Sequence, residues 1–527
     1  MLPSRSRFDA VVIGAGHNGL VAAAYLARAG LDTLLVEARD SVGGTAACET
    51  FAGATVNICN CDHLTFRTTP ILDELGLREH GLRYLDVDPG QHNASWSSLD
   101  KETIWSSHHE VDLAADEIGR FSPADGAGYR RYVADARPAV ELLLEAAAAP
   151  PTVRGLGALA ARRRGRGVRQ LLAWSRRSAA DVLGDYFSSP EVAGPGAVTG
   201  PMVWGLSPTT PRTGLGALTH AMRHVATVGR PVGGSGALTE AIRASFEAAG
   251  GTLVTGATVT EIRCERNRVA GVRIVEGGLV EPGGDHQLVD CHDVDAPLVV
   301  SACNPHDTFL RWLRHPPTDA ARLLERWRAV PHADGYESKL DVVLTSEPRL
   351  RGVDRSLGPT TVIAPSLADI DRGAALMATG EVLERPALFV NVPTALDDSL
   401  APAGHHVLSV EALFTPYARP GGWERDDEPR RWLELLAEYC EPGLLESIVD
   451  WRAMTPDRYE REFHLPAGHA TSFGGGPLAA LRNPNPELTR YATAVPGLFL
   501  TGAATFPGAG VWGASGRNCA TVALDAA

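Results

Sequence analysis

One glycine-rich turn near the start of the chain constrains its fold more than any other feature. Residues 8–13 form a short apolar run that predicts a buried strand, and residues 14–19 read GAGHNG, which is GxGxxG spacing. Residues 20–30 are rich in Ala and Leu and predict a helix that ends at glycine. Residues 33–37 predict a second strand with an acidic last residue. This order predicts a βαβ unit.

Each glycine of this unit has a physical task. Gly14 permits the tight turn, Gly16 lets the backbone approach a pyrophosphate, and Gly19 lets the helix pack closely on the strand. The helix N-terminus offers free N–H groups and a positive dipole end to phosphates. A carboxylate at Glu37 accepts hydrogen bonds from ribose hydroxyls and repels a 2′-phosphate. The unit therefore favours FAD or NAD over NADP.

Length, charge and cysteine content narrow the class of protein. A chain of 527 residues suits two or three domains, and a net charge of −14 argues against nucleic acid as a partner. The eight cysteines are scattered without a CxxC pair, which favours a reduced, cytoplasmic setting. Residues 11–30 have the length of a signal peptide or membrane span, but polar residues and glycines interrupt them.

Two further glycine-rich segments point to the same kind of ligand. Gly43-Gly44-Thr45 follows the acidic strand and lets backbone amides reach a pyrophosphate from a second side. Near the other end, residues 496–504 predict a short strand that runs into Thr-Gly-Ala. A glycine-rich turn and a helix start follow, in which Gly510 and Gly513 let the backbone approach a flat ring.

Together these segments resemble the dinucleotide-binding and closing motifs of phytoene-desaturase-like FAD-dependent oxidoreductases of the amine oxidase superfamily. The P-x-G-G-x-x-x-L stretch at 231–238 and the segments 256–259 and 299–302 are similar to that family as well. The resemblance extends from residue 8 to residue 521. It implies an α/β fold with a discontinuous Rossmann-type FAD-binding domain and a mixed α+β substrate domain.

The resemblance also implies which residues contact FAD. No second GxGxxG lies between a strand and a helix, so a resident NAD(P)H site is not expected, and the electrons would pass to oxygen or a quinone. The implied FAD contacts are Gly14, Gly16, Gly19, Glu37, Gly44, Thr45, Val259, Gly502, Ala503, Val511 and Gly513.

The same resemblance divides the chain into five pieces. The FAD-binding domain comprises residues 1–115, 225–303 and 455–527, and the substrate-binding domain comprises residues 116–224 and 304–454. The first insert is helical in pattern, with apolar residues at helical spacing over 129–149. The second insert mixes helices with strands near 340–344, 387–392 and 406–411.

Flavin dehydrogenation moves a hydride from a substrate carbon to the flavin N5, so the cofactor carries the hard chemistry. The protein needs no nucleophile, which agrees with the lack of a GxSxG, an HExxH or a metal-ligand motif in the sequence. We expect no metal. His63 is the candidate proton acceptor or substrate-orienting group, since its segment runs beneath the flavin in the family, and Trp512 is the candidate residue beside the flavin.

Three activities stay open at this point. The leading one is desaturation of a largely apolar organic substrate. A specialised biosynthetic pathway is left open for it, because the stretches 468–476 and 481–484 depart from the family's His-Gly and Arg-Pro pattern. The second is an amine or amino-acid oxidase that produces hydrogen peroxide, and the third is a non-redox isomerase that uses reduced FAD. A basic, partly apolar run at 161–177 adds the prospect of peripheral membrane contact.

Overall fold

The computed structural model describes residues 5–59, 61–97, 103–200, 205–277, 291–331, 335–469, 473, 477 and 483–527. Within these ranges the strands are β1 (Ala10–Ile13), β2 (Thr33–Val36), β3 (Cys48–Phe51), β4 (Ala54–Asn57), β5 (Tyr84–Val87), β6 (Gln91–Ser95), β7 (Trp105–Ser107), β8 (Val228–Pro231), β9 (Thr252–Val254), β10 (Ala257–Glu265), β11 (Arg268–Glu276), β12 (Cys291–Asp295), β13 (Leu298–Ser301), β14 (Leu313–Arg314), β15 (Glu337–Leu344), β16 (Thr360–Ala364), β17 (Leu388–Asn391), β18 (His406–Leu413), β19 (Ile448–Met454) and β20 (Leu498–Leu500).

The α-helices of the described ranges surround these strands. They are α1 (His17–Arg28), α2 (Ile71–Glu74), α3 (Val111–Phe121), α4 (Pro123–Ala147), α5 (Val153–Arg162), α6 (Val168–Trp174), α7 (Ala179–Gly184), α8 (Pro190–Val198), α9 (Ala217–Ala221), α10 (Gly236–Ala248), α11 (Ala321–Ala329), α12 (Leu367–Met377), α13 (Glu428–Ala437), α14 (Pro456–Phe463), α15 (Glu487–Arg490) and α16 (Ala514–Ala526).

A five-stranded parallel sheet in the order β20-β13-β1-β2-β9 forms the centre of the nucleotide-binding part. Its strands are short apolar runs because both faces are covered. Helices α1, α10 and α16 pack on one face, and the small sheet β12-β11-β10-β14 packs on the other. The expected α/β fold of Rossmann type is therefore confirmed.

A second, seven-stranded mixed sheet has the order β19-β15-β18-β17-β16-β6-β7. The strands expected near 340–344, 387–392 and 406–411 are its β15, β17 and β18. Alternation along β15 sends Leu340 and Val342 into a core that contains Trp432 of α13. The same alternation places Lys339 and Asp341 on the opposite face.

Helices α3 to α9 pack around an aromatic core that includes Tyr129, Tyr132 and Trp174. The helix expected over 129–149 is the long α4. In the basic run 161–177, Leu171 and Trp174 are buried against these helices, whereas Leu172 is exposed. Across the described ranges, no helix combines the length and the apolar character needed to cross a bilayer.

The domain boundaries remain a proposal, with one adjustment that the sheets suggest. Strands β6 and β7 precede residue 115 and so fall within the range expected for the FAD-binding domain. They are instead hydrogen-bonded into the seven-stranded sheet, since β6 runs parallel to β16 from Gln91–Thr360 to Ser95–Ala364. We therefore propose that residues 91–107 belong structurally with the insert 304–454.

Candidate functional site

A cavity lies at the carboxyl ends of the parallel strands β1, β2, β13 and β20, where open α/β sheets bind their ligands. About 1400 Å³ of space, its open mouth included, separates the atoms that line it. Its walls come from the glycine-rich turns at both ends of the chain, from β10, and from segments near residues 302–312 and 463–469. We call it the sheet-edge cavity.

The N-terminus of α1 points into this cavity without a side-chain cap. Gly16 occupies the N-cap position, and the first turn carries no acidic residue. The first-turn N–H groups of a helix have no intrahelical acceptor, so they are available to a ligand. A Cβ added to Gly16 would meet nothing within 4 Å, which shows that the space before the helix is open. Gly14, by contrast, has a φ of +91°, which favours glycine.

Glu37 ends β2 and is buried at the cavity wall. Its carboxylate accepts hydrogen bonds from Ala15 N at 2.7 Å and from Arg39 N at 2.9 Å. Burial raises the pKa of Glu37, and the two backbone donors oppose that shift. Each carboxylate oxygen can accept a further bond, so the side chain both fixes the β1–α1 turn and can receive a sugar hydroxyl.

Gly502 and Ala503 bring the C-terminal segment to the same cavity directly after β20. The start of α16 holds this turn: Gly502 N donates to Ser515 Oγ at 3.2 Å, and Ser515 also shares a 2.7 Å hydrogen bond with the Thr501 hydroxyl. The two ends of the chain therefore meet at one site, as the glycine patterns suggested.

The structure brings together most of the residues expected to contact FAD. Four expected residues, His63, Val511, Trp512 and Gly513, are not among those that line the cavity. The expected residues that do line it are Gly14, Gly16, Gly19, Glu37, Gly44, Thr45, Val259, Gly502 and Ala503.

His63 is buried, and both of its ring nitrogens are engaged. Nδ1 lies 3.0 Å from the Tyr84 hydroxyl, and Nε2 lies 3.0 Å from Ser235 Oγ. Burial and the neighbouring His17 lower the pKa of His63 to about 3, so the ring is neutral near pH 7. In this arrangement His63 can accept a substrate proton only by giving up one of these two bonds, which favours an orienting role over that of a base.

The glycine-rich turn 508–513 packs beside the cavity. Trp512 is buried and donates its indole N–H to Ala509 O at 2.8 Å, while Val511 O accepts a bond from Thr65 Oγ1. A Cβ on Gly513 would meet the Ile71 and Phe66 side chains. The close approach at Gly513 is therefore made to protein side chains.

Several cavity residues escaped the sequence analysis. His17, inside the GxGxxG, hydrogen-bonds the Gly510 backbone, and burial lowers its pKa to about 4. Arg39 lies over the Phe463 ring with 4.0 Å between the guanidinium carbon and the ring centroid. The position of Arg39 two residues after the acidic strand end was a usable signal, whereas Phe463 and the π-helical turn Asp307–Trp312 carry no local motif.

The residues present fit a dinucleotide. Uncapped helix amides face the open space at Gly16, a buried carboxylate stands where a ribose would lie, and a Cβ on Gly44 would approach Gly16 Cα to 3.3 Å. Glycine backbones thus line both sides of the space that a diphosphate would fill.

Comparison with known proteins agrees with this geometry. The model of the NAD(P)-binding Rossmann-like domain matches residues 12–71. The rat pyridine nucleotide-disulfide oxidoreductase domain-containing protein 2 is 29% identical, over 98% of this chain and 93% of its own. One of the limonene dehydrogenase polypeptides of Castellaniella defragrans is 27% identical (98% and 94%), as is the lycopene-forming phytoene desaturase of Pseudescherichia vulneris (98% and 98%).

A solved structure shares the fold over the whole chain. Cyclohexylamine oxidase from Brevibacterium oxydans IH-35A superimposes with a TM-score of 0.59, covering 98% of this chain and 99% of its own at 16% sequence identity. At that identity the match establishes the architecture alone.

Proposed function

We propose that this chain, an oxidoreductase related to the phytoene desaturases and the amine oxidase superfamily, binds FAD in the sheet-edge cavity and desaturates a largely apolar organic substrate, in a specialised biosynthetic pathway. When bound, FAD supplies the acceptor for a hydride taken from a substrate carbon. Oxygen or a quinone then takes up the electrons.

One observation carries the cofactor assignment. Nine of the expected residues, from three distant parts of the sequence near 14–45, at 259 and at 502–503, line a single cavity. Segments so far apart in the chain have no local reason to meet, so their convergence supports one shared dinucleotide ligand.

The residues of the chain divide the work of holding that ligand. The first-turn amides of α1 and the backbones of Gly16 and Gly44 bind the diphosphate, and Glu37 accepts the ribose hydroxyls. Val259 lies at the end of the cavity assigned to adenine. His63 and Trp512 hold the surrounding polypeptide in place and orient the substrate.

The substrate class is inferred from the relatives. Two of them are named for acting on phytoene and limonene, which are hydrocarbons, and they match this chain along nearly its whole length. Removal of hydrogen from such a molecule needs no nucleophile from the protein. Contact of the 161–177 run with a membrane surface would give access to a lipid-dissolved substrate.

The test is an anaerobic reduction assay on the purified protein. We expect yellow protein that releases FAD on denaturation, and loss of the flavin absorption on addition of a terpene or polyene. Bleaching by primary amines with peroxide formation in air would show an amine oxidase instead. Turnover only after prior reduction would show an isomerase, and protein that cannot take up FAD would refute the cofactor assignment.

A further inference from the structure

A second cluster of chemically reactive side chains lies on the polar face of the seven-stranded sheet. Cys59 follows β4, Glu337 begins β15, and Glu411 lies on the neighbouring strand β18. The Cys59 sulfur and one carboxylate oxygen from each glutamate all lie within 4.8 Å of one another. These residues are remote in sequence, and none of them lines the sheet-edge cavity.

Glu411 is the unusual member of the cluster. Its side chain is only 5% exposed, yet within the described part of the chain it has neither a hydrogen bond nor an ion pair. A carboxylate buried in this way is strongly destabilised unless a cation or a proton offsets its charge. Its oxygen is directed toward Cys59 and Glu337 rather than toward a basic side chain.

The buried cations nearby are already paired with other carboxylates. Lys339 bonds Asp341, and Arg452 Nε donates to the same carboxylate at 2.9 Å. Arg230 Nε lies 2.7 Å from the Asp62 carboxylate. The two glutamates of the cluster therefore lack a contacting cation among the described residues.

The spacing of the donors suits a small metal ion. Cys59 Sγ lies 3.5 Å from Glu337 Oε1. Around a tetrahedral Zn²⁺, a thiolate sulfur and a carboxylate oxygen are about 3.6 Å apart, from bond lengths of about 2.3 and 2.1 Å. Cys59 and Glu337 are partly accessible, so an ion can reach them. Three protein ligands leave a fourth position for water.

We propose that Cys59, Glu337 and Glu411 bind a zinc-like divalent cation through one thiolate sulfur and two carboxylate oxygens. On binding, the Cys59 thiol loses its proton to solvent, and the metal–sulfur bond replaces the hydrogen bond from Sγ to Glu337. The two positive charges of the ion offset the two glutamates. A thiolate with two carboxylates favours Zn²⁺ over Mg²⁺ or Ca²⁺, which take oxygen ligands alone.

The first test measures metal in the FAD-loaded wild-type protein. After incubation with Zn²⁺ and desalting, we expect about one equivalent of zinc per chain by elemental analysis. Zn²⁺ should also raise Tm, and a chelator should reverse the rise. Co²⁺ added to the chelator-treated protein should give d–d bands at wavelengths beyond the flavin absorption, as a tetrahedral thiolate site does.

Variants assign the site to these side chains. Cys59→Ser and Glu411→Gln should each lose the bound zinc and the cobalt bands while keeping FAD. Cys61→Ser is the matched control, because Cys61 is buried two residues away with its sulfur 3.7 Å from Asn391 Oδ1, outside the cluster. This variant should retain the metal.

Two results would overturn the proposal. One is wild-type protein that holds no zinc after desalting and shows no cobalt bands, which would mean that a proton neutralises the glutamates. The other is equal metal content in the wild type and Cys59→Ser. The wild-type measurement decides the matter even if a variant fails to fold, and neither result bears on FAD binding.

Discussion

Replacement of Gly16 by alanine separates ligand binding from folding. Gly16 has φ −62° and ψ 162°, which alanine adopts without strain, and a Cβ there would meet nothing within 4 Å. The added methyl group therefore clashes with no part of the protein. It projects into the space before α1, where the diphosphate of FAD is proposed to lie.

The expected changes in stability and in affinity differ greatly in size. At the helix N-cap, alanine is less favourable than glycine by several tenths of a kcal/mol to about 1 kcal/mol. The smaller entropy of the unfolded chain returns about 0.4–1 kcal/mol, so the apoprotein should keep its stability to within about 1 kcal/mol. Loss of one amide–phosphate hydrogen bond costs about 1.5–3 kcal/mol, which is roughly a 10- to 150-fold weaker Kd for FAD.

The assay is fluorescence titration of apoprotein with FAD, beside urea unfolding of the same apoprotein. Gly119→Ala in α3 is the matched control, since a Cβ at that position also meets nothing within 4 Å and the residue lies far from the cavity in sequence. The control should bind FAD as the wild type does. If Gly16→Ala binds FAD with unchanged affinity, the diphosphate does not lie at this helix and the reasoning fails.

Three further substitutions test the surroundings of the site. Burial lowers the pKa of His63 from 6.5 to about 3, so between these values the unfolded chain binds a proton that the folded chain does not, and stability falls as the pH drops. His63→Gln should flatten this dependence by up to about 1.4 kcal/mol per pH unit in urea unfolding, and an unchanged slope would contradict the assigned burial. Ser515→Ala leaves the buried Gly502 N–H without its acceptor and should cost about 1–3 kcal/mol by the same method, whereas no loss would mean that another acceptor replaces it. Asp62→Ala strands the buried Arg230 and should cost about 3–5 kcal/mol, much of it regained when Arg230→Met is added; a double variant as unstable as the single one would argue against an electrostatic cause.

The N-terminal unit was predictable from the sequence because its signals are local. The strand, glycine turn, helix and acidic residue lie within some 30 positions, and the structure has them as β1, α1 and β2 with Glu37 at the wall of the cavity. Steric needs of single glycines fix such a turn whatever the rest of the chain does. The structure shows this at Gly19, where a Cβ would clash with Gly14 O and come within 2.9 Å of the Ala302 side chain.

The remaining cavity walls were not predictable, since long-range packing sets them. Phe463 lies at the end of α14, and Trp312 lies in a π-helical turn, far apart in the chain and without a shared pattern. The place of residues 91–107 in the seven-stranded sheet was hidden for a related reason. Pairing of β6 with β16 joins segments some 270 positions apart, and the residues of β6 carry no sign of that partner.

The polar face of the seven-stranded sheet shows how tertiary structure reconciles charged residues with a reaction that needs a dry site. An alternating strand such as β15 is normally buried on one face and open to water on the other, but here both faces are covered. Lys339 and Asp341 can remain charged only because they pair with each other and with Arg452, which reaches on to Glu49. Since pairing removes the need for water, the sheet can lie beneath an apolar substrate without hydrating it. By the same reasoning, Glu411 marks the place where protein charges alone leave the balance incomplete.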